Sequence, residues 1–150
     1  MAFRRDRATE TLTRYLQLCD VPVPVPAPDG VGDELGNLFT DDAVWEGAGP
    51  KYGEKFGRTE GRLAIVDMVS AYLPPNSHFR QNVHLLLPGT IDLGDSTARG
   101  SWLMQQLSRY ESGAAEVMVA RLDVTFRFDA GRALIRRFRT EQLFSAPLAG

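Results

Sequence analysis

Few side chains in this 150-residue sequence are suited to acid–base, nucleophilic or metal chemistry near neutral pH. It holds two histidines, His78 and His84, and one cysteine, Cys19. His84 stands midway along FRQNVHLLLPGTIDL among apolar neighbours, where burial of an imidazole costs free energy unless a partner satisfies its nitrogens. His78 lies six residues before it, so on one strand at ~3.3 Å per residue the two rings stand roughly 20 Å apart and cannot share a metal. A single cysteine excludes an internal disulfide and any Cys-x-x-Cys metal or redox site. The chain carries no dinucleotide-binding Gly-x-Gly-x-x-Gly, no P-loop, no His-Glu-x-x-His and no Gly-x-Ser-x-Gly nucleophile elbow, each of which would place a particular chemistry in a particular turn or helix. The expectation is a site that uses neither metal nor cofactor.

The elements that must position these groups follow from periodicity. Ala8, Leu12, Tyr15, Leu16 and Cys19 recur at helical spacing and predict a first helix with one buried face. The segment VPVPVPAPDGVG stops it, because four alternating prolines cannot continue a helix and favour an extended path. A stiff connector or flap is the simpler reading of this loop, a proline-rich peptide ligand the other. Asp33 sits near the N-cap of a short helix DELGNLF, and AVWEG reads as a strand. The glycine-rich AGPKYGEKFGR reads as a long loop. Thr59 is the expected N-cap of a helix EGRLAIVDMVSAYL, with Leu63, Val66, Val69 or Ser70, and Leu73 as its inward stripe, widened by Ile65, Met68 and Tyr72. Pro74-Pro75 ends it.

Beyond residue 78 the period changes from 3.6 to 2. Strands at about 79–92, 96–109, 115–128 and 133–144, separated by the turns LGDS, ESGA and DAGR, have the pattern of an antiparallel meander. Helices first and strands afterwards predict a single α+β domain over residues 1–150, its curved sheet wrapped around the helices. In the third strand Met118, Ala120, Leu122, Val124, Phe126 and Phe128 form an unbroken apolar row. The formal net charge is -2, from 17 basic and 19 acidic residues, and only Lys51 and Lys55 among the basic ones are lysines. Such a balance gives no field to recruit nucleic acid or an anionic membrane. No apolar run approaches the ~20 residues of a membrane span, and MAFRRDRATETL lacks the apolar core of a signal peptide, so a cytoplasmic protein is expected.

With these elements in place, the order of LFTDDAVWEG, GRTEGRLAIVDMV, VHLLLPGTIDLGDSTARGSW and LDVTFRFDAGRALIRRF resembles the NTF2-like superfamily, in particular its SnoaL-like and scytalone-dehydratase-like branch, over nearly the whole chain. The resemblance implies a cone-shaped α+β barrel enclosing an apolar pocket, usually in a dimer, that takes a small apolar or aromatic molecule. Members include dehydratases, isomerases and cyclases alongside non-catalytic binding or assembly subunits, and fold alone does not choose among them. In the dehydratase-like branch a strand histidine works with an aspartate at the end of the first helix. Those positions look like His84 and Asp20. Such a carboxylate would fix the imidazole tautomer, letting the ring take a proton α to a carbonyl and return it to a leaving hydroxyl.

By the same resemblance Tyr15 is a donor to the substrate oxygen, Trp45, Tyr72, Leu86 and Trp102 shape the pocket, and Arg121 supplies a charge for a carboxylate or enolate. Trp102 occupies the place of a second dehydratase histidine, Cys19 that of a tyrosine before the aspartate, and the proline loop has no counterpart. Simpler roles stand beside each of these. His84 also reads as a core or interface histidine bonded to backbone, Asp20 as a helix-end residue, and the tryptophans and Tyr72 as core aromatics. Arg121 and Asp123 also read as a surface pair, His78 as solvated, and Cys19 as an inert buried thiol.

Overall fold

The computed structural model describes residues 2–149. Helix α1 (Ala2–Leu18) is followed by the proline segment and a short α2 (Val31–Gly36). Then come β1 (Phe39–Ala48), α3 (Gly49–Phe56), β2 (Arg58–Glu60) and α4 (Arg62–Ser70). The remainder is strand: β3 (Phe79–Leu86), β4 (Thr90–Leu93), β5 (Thr97–Tyr110), β6 (Ala115–Asp129) and β7 (Arg132–Pro147). The sheet runs β2-β1-β7-β6-β5-β3, with β4 beside β3 on the other half of β5. Among the described residues only β1 and β7 pair in parallel. The sheet is curved and unclosed, and the expected α+β class, helices on a mostly antiparallel sheet, is what forms.

Alternation along β6 decides which face is core. Met118, Ala120, Leu122, Val124 and Phe126 are all buried, and they meet Ala8, Leu12, Tyr15 and Leu16 of α1 in a common cluster. Each fully buried Leu, Val, Phe or Met among them contributes roughly 1.5–3 kcal/mol by leaving water. Thr11 Oγ1 ties the helix to the sheet by donating to Ala133 O at 2.7 Å. The proline segment lies over the domain with Val23, Val25 and Ala27 packed on the core, and Arg14 Nη2 donates to Pro26 O at 2.8 Å.

Five local expectations are corrected. Residues 49–56 form α3 instead of a loop. The glycines that suggested a loop mostly sit at its ends: Gly49 (φ 74) opens it, Pro50 occupies the first turn, and Gly57 (φ 59) closes it by donating to Gly53 O at 3.1 Å. This is the usual division of labour between proline at the start of a helix and glycine past its end. The helix DELGNLF is shifted: α2 begins at Val31, and Phe39 already belongs to β1.

Thr59 is a strand residue paired with Trp45, and the cap of α4 is Gly61, at φ 93. The inward stripe is Ile65 and Val69 of α4 with Leu73 just past its end, whereas Leu63 is 80% exposed. Both stripes have helical spacing, and docking against β1 selects one. Finally, the strand expected at 79–92 is broken at Leu87-Pro88-Gly89. Proline has no N–H for the ladder, and a Cβ on Gly89 would lie 2.3 Å from Trp102 Cδ1. No helix among the described residues is long and apolar enough to cross a membrane.

Candidate active site

The end of α1 and the middle of β3 are fastened together, and that junction places the chemistry. β3 is a sheet edge, so the N–H groups on its outer side have no strand to pair with. Val21 takes the first of them: Val21 N donates to Asn82 O and Asn82 N to Val21 O, both at 2.9 Å. Asp20 takes the next. Its Oδ1 accepts from the backbone N of His84 at 2.9 Å and lies 2.8 Å from His84 Nδ1. An ionised carboxylate only accepts, so Nδ1 is the donor of this contact, and in the neutral ring Nε2 is the nitrogen left to accept. Asp20 is 7% exposed, and the His84 side chain keeps 10% of its surface. Asp20 Oδ1 thus meets both the backbone N–H and the ring of His84, which holds the imidazole in one orientation.

His84 lines a cavity of about 140 Å³ between the inner sheet face and α1, α3 and α4. Its apolar walls are Trp45, Phe56, Tyr72, Phe138, Met104 and Met118. The rings are mutually braced, Trp45 stacking on Phe138 at 5.3 Å and meeting Phe56 edge-on at 5.1 Å. Such contacts add to area burial and keep the walls in place. The polar groups are few and held by partners. Asn82 Oδ1 accepts from Gln106 Nε2 at 2.9 Å and from Ser108 Oγ at 2.7 Å.

Tyr15 OH accepts from Trp45 Nε1 at 2.9 Å, and its own proton has the neighbouring Cys19 side chain as a partner. Burial pushes the Tyr15 phenol well above its usual range, with the neighbouring Cys19 adding to the rise. A phenol so placed stays protonated and serves as a neutral donor. The Cys19 thiol, also at the cavity wall, is pushed up to about 12, chiefly by burial. A thiol kept protonated is a poor nucleophile. Burial likewise raises Tyr52, on α3, to about 12.

Of the residues singled out from sequence, Tyr15, His84, Trp45 and Tyr72 come together at this cavity, with Asp20 directly behind His84. Trp102 and Leu86 do not. They line a second, larger cleft between α1 and the β3–β4 arm, which Asp20 and His84 also border. Trp102 lies there because Gly89 and Gly100 leave room for its ring; a Cβ on Gly100 would come within 2.3 Å of it. Arg121 lines neither hollow: it is exposed, on the face opposite Ala120 and Leu122, in register with Leu103 and Glu141. Alternation turns it outward once the apolar row is core.

Sequence reasoning missed Asn82, Gln106 and the α3 residues Tyr52, Lys55 and Phe56. Asn82 had a signal, since two residues before His84 it shares that face of the strand. Gln106, directly opposite His84 on β5, needed the register. Among the described residues no three His, Cys, Asp or Glu side chains gather as a metal site.

Comparison with known proteins places this geometry in a family. No curated protein matches the sequence. Among solved structures, hexachlorocyclohexane dehydrochlorinase LinA type 3 from Novosphingobium barchaimii LL02 superposes with a TM-score of 0.76 at 16% identity, covering 97% of this chain and 90% of that one. A candidate scytalone dehydratase from Novosphingobium aromaticivorans DSM 12444 gives 0.75 at 17% identity, covering 97% and 89%. An NTF2-like protein with a cystatin-like fold from Novosphingobium aromaticivorans gives 0.68 at 21%, covering 93% and 81%. At these identities the likeness is one of fold. The family model of the SnoaL-like domain matches residues 5–139, and with nearly the full length matched the chain belongs to the SnoaL-like family.

Proposed function

We propose that the protein is a cofactor-independent lyase or isomerase acting on a cyclic or aromatic carbonyl compound. The observation that carries this reading is the His84–Asp20 pair set in the wall of an apolar, aromatic cavity. In it, His84 Nε2 takes a proton from the carbon α to the carbonyl while Tyr15 OH donates a hydrogen bond to the carbonyl oxygen, where negative charge develops. The imidazolium then returns the proton, either to a departing hydroxyl, which leaves as water, or to another carbon of the same molecule. Asp20 fixes the tautomer in which Nε2 is the accepting nitrogen and raises the basicity of the ring. The names of the dehydrochlorinase and candidate dehydratase structures support the reading, since both denote eliminations.

The test is hydrogen–deuterium exchange at the α-carbon of 1-tetralone in deuterium oxide, followed by proton NMR. The protein is expected to accelerate it, and His84→Ala to lose about 10²–10⁴-fold while remaining folded. Unchanged exchange in that variant refutes the role of His84.

A non-catalytic ligand-binding domain is the second reading, favoured by one observation: Asp20 also accepts the backbone N–H of His84, so the pair would be worth keeping as a fastening alone. In that case exchange stays at the buffer rate with either protein. We further infer a homodimer. Val83, Leu85, Leu103, Leu107 and Phe144 expose apolar surface, and register places Leu85, Leu103 and Leu107 with Val117 and Val119 on the sheet's outer face. Patches of this kind mark interfaces. Sedimentation equilibrium should give twice the chain mass, and Leu103→Lys should shift it to the monomer; a monomeric native protein would overturn the inference.

A further inference from the structure

The cavity has a cation at its mouth that the mechanism above does not use. Helix α3 presents Tyr52, Lys55 and Phe56 to it, at the spacing that puts side chains on one helix face. Lys55 is exposed yet lines the cavity, which sets it at the rim. Its Nζ lies 5.0 Å from the centre of the Phe56 ring and 5.5 Å from that of Tyr72, and both rings are cavity walls. The ammonium is thereby drawn over the opening instead of out into solvent. Among the described residues no Asp or Glu forms an ion pair with it. Every other lining side chain is apolar or a neutral hydrogen-bonding group apart from the titratable His84, and the Asp20 carboxylate stays behind the ring. The inner part of the cavity thus suits a ring, and its rim suits a single negative charge.

We propose that the ligand of this cavity is a ring compound bearing a carboxylate, with Lys55 pairing to the carboxylate at the rim while the ring lies against Trp45, Phe138 and Met104. The proposal names a substrate class for the site and rests on the reading of that site as a small-molecule pocket, but not on catalysis. Lys55 acts as a specificity residue. It discriminates charged from neutral ligands and takes no part in proton transfer.

Calorimetric titration of the full chain with 2-naphthoate and with its neutral isostere 2-naphthamide tests it. At low salt the naphthoate is expected to bind about fivefold more tightly, the upper end for a solvent-exposed ion pair. The preference should shrink as ionic strength rises. Lys55→Met should bring the ratio to about one, and Lys51→Met on the same helix should leave it at about fivefold. Equal affinities for the native protein, or a preference that survives Lys55→Met, overturn the role of Lys55 while leaving the pocket standing. Binding of neither compound rejects both the pocket and the carboxylate.

Discussion

On one side of His84 lies the cavity walled by Trp45, Phe56, Tyr72 and Phe138; on the other lies the cleft with Thr9, Thr13 and Gln17 on one bank and Leu86, Leu87 and Ile91 on the other. The cleft is the larger, about 620 Å³ against about 140 Å³. Size does not make it the better reaction site. Val83, Leu85 and Leu87 along the cleft are exposed, whereas Tyr15, Trp45 and Phe138 of the cavity are buried. Enclosure strengthens each hydrogen bond made inside and excludes competing water. The cavity also holds the protonated phenol of Tyr15, while the cleft sees the carboxylate that orients the ring. His84 thus borders an aromatic cavity on one side and a cleft with more exposed apolar walls on the other.

This contrast can be broken most directly by comparing His84→Ala with Trp102→Phe in the exchange assay. The first is expected to cost about 10²–10⁴-fold and the second less than about twofold, because Trp102 lines the cleft alone. A large loss in Trp102→Phe would move the chemistry to the other side of the dyad.

A difference in stability should follow the same division. Phe138→Ala removes a ring 3% exposed that braces Tyr15 and Trp45 and is expected to cost about 3–5 kcal/mol in urea unfolding. Leu87→Ala, at the exposed edge of the cleft, should cost under about 1 kcal/mol. Similar costs would mean that the cavity walls are no better packed than the cleft.

The smallest effect concerns pH. Cys19, at the cavity wall, is raised from 9.0 to about 12, and Tyr15 is raised as well. Between the unfolded and folded values the native state binds more protons than the unfolded one, so stability falls as pH rises. The contribution of Cys19 is complete below about pH 9 and declines toward 12. The urea midpoint should drop between pH 8 and pH 10.5, and drop less in Cys19→Ala. Equal declines would show the thiol to be uninvolved.

Much of the frame was legible in order along the chain. The α1 face of Ala8, Leu12, Tyr15 and Leu16 and the β6 row from Met118 to Phe126 could be read because one side of each is buried without interruption, which keeps the period clean. The hairpin turns were legible for a related reason: DAGR needs left-handed backbone, and Ala130 (φ 49) and Gly131 (φ 79) adopt it. Helix α3 was not, because cap glycines and loop glycines look alike until the chain on either side is placed. Nor was the face of α4, where Leu63 and Ile65 lie on equally periodic stripes and only packing chooses.

The same division holds at the site. Residue types alone determined that few groups could do acid–base chemistry near neutral pH, and that His84 lay in a strand needing a partner. Asp20 was reachable through resemblance to a family, since 64 residues separate it from His84 and no local pattern links them. Tertiary structure decided that Asp20 Oδ1 closes both an edge N–H and the ring, that Trp102 turns to the cleft, and that Arg121 turns to solvent. Periodicity reports whether a residue is buried, a property of its own element; what it is buried against depends on how two elements meet.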